Sequence, residues 1–277
     1  MATSMGRWGE EVSRDQLATL ENPKKLGSRH YPTRHDVFTN TIEDSFNAMG
    51  YKLDNWKFQL SSKGDKMFTE FSIQSGDNRF QTDSWQLVGA AINTHNQSMS
   101  TRILFGDETF VCSNLQFSAE FMIRRKSTRD GLQDLKHLIW DNAEQIPVVF
   151  SRLLADKQRL ADHDMSSSTQ VNDTLVRMAK AGHTTWQSIP HILKHWEEPE
   201  HPEFQDRNGL VFFNAFTSNW RGSNPFELHN KSKRVMNFLL DEATKEDREY
   251  AMEAAPSHDP TPEEVQDDWE HATSDWP

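Results

Sequence analysis

The spacing of the apolar residues changes twice along this chain, and the two changes decide its fold class. Over residues 34–49, Val37, Phe38, Ile42, Phe46 and Met49 recur at helical spacing, and Gly50 closes the run. From Tyr51 the period drops towards two. Leu53, Trp56, Phe58 and Leu60 lead into Ser61-Ser62-Lys63-Gly64-Asp65, and Met67, Phe68, Phe71 and Ile73 follow. Two such runs around a short polar segment predict a β-hairpin. Further strand-like runs cover residues 85–93, 101–105, 109–112 and 119–125, with Gly106-Asp107-Glu108 expected to turn between two of them.

After Gly131 helical spacing returns through Leu132, Leu135, Leu138 and Ile139, then Ile146, Val149, Phe150, Leu153 and Leu154. Pro147 falls inside this stretch and predicts a kink or a restart. Residues 162–170 are polar and serine-rich and read as a loop. Helices are expected again over 171–181, 189–196, 209–220 and 226–250. Strands gathered in the middle and helices after them define an α+β protein rather than alternating βαβ units. The expected architecture is an antiparallel β-rich central sheet, preceded by one helix and followed by a helical C-terminal half, with a disordered acidic tail. Residues 1–33, interrupted by Pro23, Gly27 and Pro32, read as a flexible arm. A single α+β domain then spans 34–240, β-rich over 51–126 and helical over 131–240. Residues 241–277 hold the end of the last helix and the tail.

The tail also carries the charge. Residues 241–277 contain thirteen acids against Lys245 and Arg248, whereas the whole chain has a formal net charge of −12. Residues 1–240 are therefore close to neutral. Pro256, Pro260 and Pro262 and a scarcity of apolar residues point to disorder. Trp269 follows Asp267 and Asp268, and Trp276 follows Asp275, so apolar rings sit among carboxylates. Those five residues are candidates for binding a protein partner, because a tail that only improves solubility needs no tryptophan. No run approaches the length of a membrane helix, and residues 1–11 lack the apolar core of a secretory signal. Cys112 is the only cysteine, which excludes an internal disulfide and cysteine-based zinc sites.

The densest block lies over residues 87–128. Asn93-Thr94-His95-Asn96-Gln97-Ser98 forms a polar cluster between apolar runs, Phe110-Val111-Cys112-Ser113-Asn114-Leu115 follows, and Arg124-Arg125-Lys126-Ser127-Thr128 closes the block with cations. This order resembles the phage- and plasmid-borne family known as domain of unknown function 932. Its members carry an Asn-Ser/Thr-His element, then Val-Cys-x-Asn-Leu, then a basic stretch ending in Thr. Asn208-Gly209-Leu210 through Asn214-Ala215-Phe216-Thr217, and then Asn224-Pro225-Phe226-Glu227-Leu228, are similar to that family's downstream helix. Phe212 stands near its usual Trp-Gly, and Asn96 stands where Asp is common. The resemblance implies a protein of a mobile element working in a host bacterial cytoplasm, and it implies no catalytic residues.

His95 in the cluster of Asn93, His95, Ser98 and Asn114 has the ordinary pKa of a general base, yet short polar side chains at a strand end also cap backbone groups. Cys112 in an apolar run reads as a small hydrophobe. His191 and His195 are four apart on an expected helix, but no third ligand stands at a metal-site spacing. No catalytic set, metal site or cofactor is expected. Arg102, Arg124, Arg125, Lys126 and Arg129 form the best basic edge and are the candidate nucleic-acid-binding residues. Trp56, Phe58, Trp85 and Phe121 are candidate stacking faces.

The expectation is a protein that binds, and anneals, single-stranded DNA without catalysis. Its tail would regulate access and recruit phage or host replication and recombination proteins. No membrane partner is expected, and a homo-oligomer would suit an annealing role. The alternative is an interaction protein that inhibits a host defence or nucleic-acid enzyme, its tail imitating a phosphate backbone.

Overall fold

The computed structural model describes residues 9–76, 80–82, 85–109, 115–200, 204–220, 223 and 225–254, without the side chains at 85, 107–109, 115–121, 225–226, 229 and 246–254. The chain divides into two units, residues 1–240 and 241–277. In the second, residues 241–254 are helical.

The first unit is built on one antiparallel meander. Strands β1 (Glu10–Val12), β2 (Tyr51–Leu60), β3 (Lys66–Ser75), β4 (Trp85–Thr94), β5 (Thr101–Thr109) and β6 (Leu115–Arg125) lie side by side in chain order. The helix expected before the sheet is α2 (His35–Ala48), whose Phe38, Ile42 and Phe46 are buried. Gly50 follows with φ +83°, a left-handed turn that glycine adopts without a Cβ penalty. The hairpin forms as the alternation predicts, with Leu60 opposite Met67 and Leu53 opposite Ile73.

The tight turn expected at Gly106-Asp107-Glu108 is not there. Those residues continue β5, with Gly106 opposite Val88 and Asp107 opposite Leu87 on β4, and Gly106 opposite Phe117 on β6. Strand pairing on both sides overrides the turn propensity of Gly-Asp. Gly106 follows a register shift at Leu104 and Phe105, where a residue without a side chain is commonly found. Residues 110–114 lie outside the described residues, and with them Cys112 and Asn114.

Alternation along the strands builds two cores. Met67, Phe71, Ile73, Leu87, Ala91, Ile103, Phe105 and Ile123 face one way and join Phe38, Ile42 and Phe46 of α2, Leu135 and Ile139 of α3 (Gly131–Asn142), and Ile146 and Phe150 of α4 (Gln145–Asp162). Phe68, Val88, Ala90, Ile92 and Leu104 face the other way and are buried too. Gly89 lies opposite Phe71 and leaves room for its ring, which a Cβ at that position would strike.

A third cluster joins the C-terminal helices α5 (Ser168–Lys180), α6 (Ile189–Glu197), α7 (Gly209–Asn219) and α8 (Pro225–Ala254) around Phe212, Phe213, Phe216, Trp196, Leu175 and Leu239. Pro147 acts as a restart. It sits in the first turn of α4, where a missing N–H breaks no helical bond. Helix α7 is capped by the Asn208 side chain, which accepts from Val211 N–H at 3.0 Å. Antiparallel sheet and flanking helices together make the protein α+β.

The stretch 9–33, expected as a loose arm, adds structure to this frame. Glu10–Val12 pair with Phe58–Leu60 as β1. Ser13 and Gln16 form a reciprocal capping box at the start of α1 (Arg14–Thr19), and Leu17 is buried. The helix breakers Pro23, Gly27 and Pro32 all fall after α1 has ended. Reading them as marks of a free arm overlooked the short elements ahead of them.

Candidate nucleic-acid interface

Three separate pieces of chain meet beyond one end of the sheet. These are residues 26–30 of the N-terminal stretch, residues 97–100 of the β4–β5 connection, and residues 124–128 at the end of β6. Together they enclose a cleft of about 1130 Å³. Its polar lining includes Arg29, Arg124, Arg125 and Lys126 and the hydroxyls of Ser28, Ser100, Ser127 and Thr128; the residues described there include no carboxylate. Tyr31 N–H donates to Ser127 O at 2.9 Å and ties the N-terminal stretch to the end of β6. The Lys25 ammonium lies 3.7 Å from the centre of the Tyr31 ring, so that ring is already engaged by a cation.

Of the expected basic residues, the fold brings Arg124, Arg125 and Lys126 into the cleft. Arg124 is exposed, and Arg125 pairs with Asp134 of α3, which orients its guanidinium and offsets part of its charge. Arg102 is the strand partner of Arg124, on the same face of the sheet, but it does not line the cleft. Burial lowers the Arg102 pKa, and repulsion from Arg124 adds to the shift. Arg129 is exposed and also lies outside the lining. Arg29, which sequence reasoning passed over, takes a place in it.

Two of the expected stacking faces, Trp56 and Phe58, are engaged within the fold. Trp56 stacks on Phe58 at 5.6 Å between ring centres, contacts Phe71 at 4.4 Å, and has the Arg14 guanidinium 5.3 Å from its ring. Phe58 is buried in the main core. Both rings therefore hold the sheet together. The side chains of Trp85 and Phe121 lie outside those described.

The polar cluster at the end of β4 is resolved into a hydrogen-bond hub. Asn93, fully buried, donates to Thr33 O at 2.9 Å and to His35 Nδ1 at 3.0 Å, and its carbonyl accepts from Thr101 Oγ1 at 3.3 Å. His35 Nε2 donates to Gly64 O at 3.0 Å, and His95 Nε2 donates to Thr33 O at 2.9 Å. The two imidazoles stack with centres 3.9 Å apart. Burial, and then the neighbouring His95, push the His35 pKa down to about 3. Burial lowers His95 as well, against the hydrogen bond to Thr33 that favours its charged form. Both rings are therefore neutral near pH 7.

Next to this pair, Asn96 donates to Asp65 at 2.6 Å and Ser61 Oγ donates to it at 2.6 Å. Burial pushes the Asp65 carboxyl up, but these bonds outweigh it and hold it below the ordinary value. Gln97 sits at φ +59°, inside a turn closed by Ser98 N–H donating to Asn96 at 3.0 Å. Asn93 and His95 thus both bond the Thr33 carbonyl ahead of α2, while Asn96 bonds Asp65 and accepts from Ser98 N–H in the turn. Ser98 is exposed on the turn. The signal that could have exposed the hub was His35, which opens α2 beside the cluster that sequence reasoning had isolated.

His191 is exposed, and His195 Nδ1 lies 3.9 Å from Glu200. Among the described residues no group of three or more His, Cys, Asp or Glu side chains could hold a metal ion. No described helix is long and apolar enough to cross a membrane. The tail candidates Asp267, Asp268, Trp269, Asp275 and Trp276 lie outside the described residues.

Fold and site together define an α+β protein with a meander sheet and a cation-lined cleft at the sheet's end. No family model, no curated protein and no solved structure matches the chain.

Proposed function

We propose that the protein binds single-stranded nucleic acid through the cleft, gripping the phosphate backbone rather than the bases. The observation that carries this reading is the convergence of Arg29, Arg124, Arg125 and Lys126, drawn from two distant parts of the chain, with four hydroxyls around one cleft whose described lining includes no acid. Cations so placed gain affinity by releasing counterions from a polyanion. Hydroxyls bond phosphate oxygens without reading sequence. The rings of Trp56 and Phe58 are taken up by the fold, and binding of this kind requires no catalytic group. The resemblance of residues 87–128 and 208–228 to domain of unknown function 932 is the ground for a phage or plasmid origin and a host bacterial cytoplasm. Partners in replication or recombination would be met through Trp269 and Trp276.

The test is a fluorescence-anisotropy titration of the full chain with a labelled oligothymidylate at low salt. Saturable binding supports the reading, and its absence removes it. One observation favours a second reading, inhibition of a host enzyme by charge mimicry. Residues 255–277 hold seven acids and no lysine or arginine. A host protein captured by the full chain but not by a form ending at residue 254, together with no oligonucleotide binding, would select it. That end point leaves α8 whole, because the helix runs to Ala254.

A further inference from the structure

His30 contributes to the cleft lining and is 4 % exposed. The backbone N–H of Leu26 donates to its Nδ1 at 3.1 Å. Because Nδ1 accepts, the proton of the neutral ring sits on Nε2. That Nε2–H is buried and has no hydrogen-bond partner among the described residues. A buried donor without an acceptor is uncommon and costly, and in a native site it calls for an explanation. The other residues that line the cleft supply donors and cations, Arg29, Arg124, Arg125, Lys126, Ser127 and Thr128 among them, and no carboxylate is described there. What this arrangement lacks is an anionic oxygen.

We propose that His30 is a ligand-binding residue of the cleft, its Nε2–H donating to a non-bridging oxygen of a backbone phosphate that the surrounding cations neutralise. This rests on the reading of the cleft as a nucleic-acid site and deepens it, because it fixes one phosphate at one place. The cations supply attraction that is long-ranged and weakened by salt. The imidazole supplies one short-range directional bond. The hydrogen bond of Leu26 holds the ring in the tautomer that donates, as an outer partner fixes a histidine that ligates a metal.

Two substitutions in the full chain separate this role from a structural one. His30→Asn keeps a carbonyl able to accept from Leu26 N–H and loses the donor at the Nε2 position. His30→Gln keeps a donor at about the Nε2 position and loses the acceptor. Affinity for labelled oligothymidylate should fall roughly tenfold in His30→Asn, the usual size of a hydrogen bond to a charged group. It should stay within about threefold of the wild type in His30→Gln, since a repositioned donor retains most of such a bond. The dependence of affinity on salt should be the same in all three proteins, because a neutral donor releases no counterion. In the wild type, the ring nitrogens followed by NMR should show the Nε2–H tautomer, with the proton moving downfield as oligonucleotide is added.

Equal affinity of wild type and His30→Asn would overturn the role of His30 and leave the cleft standing. Equal losses in both variants would make His30 a loop-positioning residue and overturn its contact with phosphate. A wild type that does not bind would remove the cleft reading itself, and the His30 contact with it.

Discussion

Folding buries His35 as a neutral ring, and the acid stability of the protein should show it. The His35 pKa falls from an ordinary 6.5 to about 3, through burial first and the neighbouring His95 second. A group whose native pKa is depressed adds stability above its unfolded value and loses it as pH falls, because the unfolded chain takes up the proton first. The window therefore opens near pH 6.5 and closes near pH 3. Each pH unit within it is worth about 1.36 kcal/mol, so lowering the pH from neutrality to 5 should cost about 2 kcal/mol from His35 alone. The whole window amounts to roughly 5 kcal/mol, a large share of the 5–15 kcal/mol typical of a domain.

The assay is urea unfolding followed by tryptophan fluorescence, at neutral pH and at about pH 5, for wild type and His35→Gln. Glutamine keeps a donor for Gly64 O and does not titrate. It leaves one Asn93 N–H without its His35 acceptor, so the variant starts less stable by about 1–3 kcal/mol. Its further loss between the two pH values should be smaller than the wild type's by about 2 kcal/mol. Contributions from the other titrating groups largely cancel in that difference. Parallel losses in the two proteins would refute a neutral buried His35 and the hub built around it.

Gly89→Ala places a methyl group against the Phe71 ring in a full core and should lower unfolding stability by about 1–3 kcal/mol, measured by urea unfolding. Trp56→Ala should lower stability but leave oligonucleotide affinity of the folded protein unchanged. A stacking platform would instead lose about 1–3 kcal/mol of binding.

How far the sequence carried depends on which interactions decide each element. The hairpin, α2, the restart at Pro147 and the Asn208-capped α7 were legible because each is set by spacing or by one local residue. Gly106-Asp107-Glu108 misled, because strand neighbours on both sides outweigh a three-residue turn preference. The stretch before α2 misled in the opposite direction. Its prolines announce a chain without long helices, and nothing local announces that residues 26–30 close a cleft against the end of β6. Arg124, Arg125 and Lys126 were found as a run, whereas Arg29 and His30 belong to a distant stretch that the Tyr31–Ser127 hydrogen bond ties to the end of β6. Asn93 and His95 were found as a polar block, but their partners Thr33, His35 and Gly64 are distant in sequence.

The central claim, that the cleft binds the phosphate backbone, is tested most directly by the salt dependence of oligothymidylate affinity in a charge-reversed cleft. Arg124→Glu with Lys126→Glu is compared with Lys180→Glu and Lys194→Glu, two exposed lysines on α5 and α6 that do not line the cleft. Each lost phosphate contact should lower the slope of log affinity against log salt by about 0.7. The account predicts a slope lower by about 1.4 in the cleft variant, with affinity at low salt down at least tenfold, and little change in the slope of the control. Equal slopes and equal affinities in the two variants would contradict it.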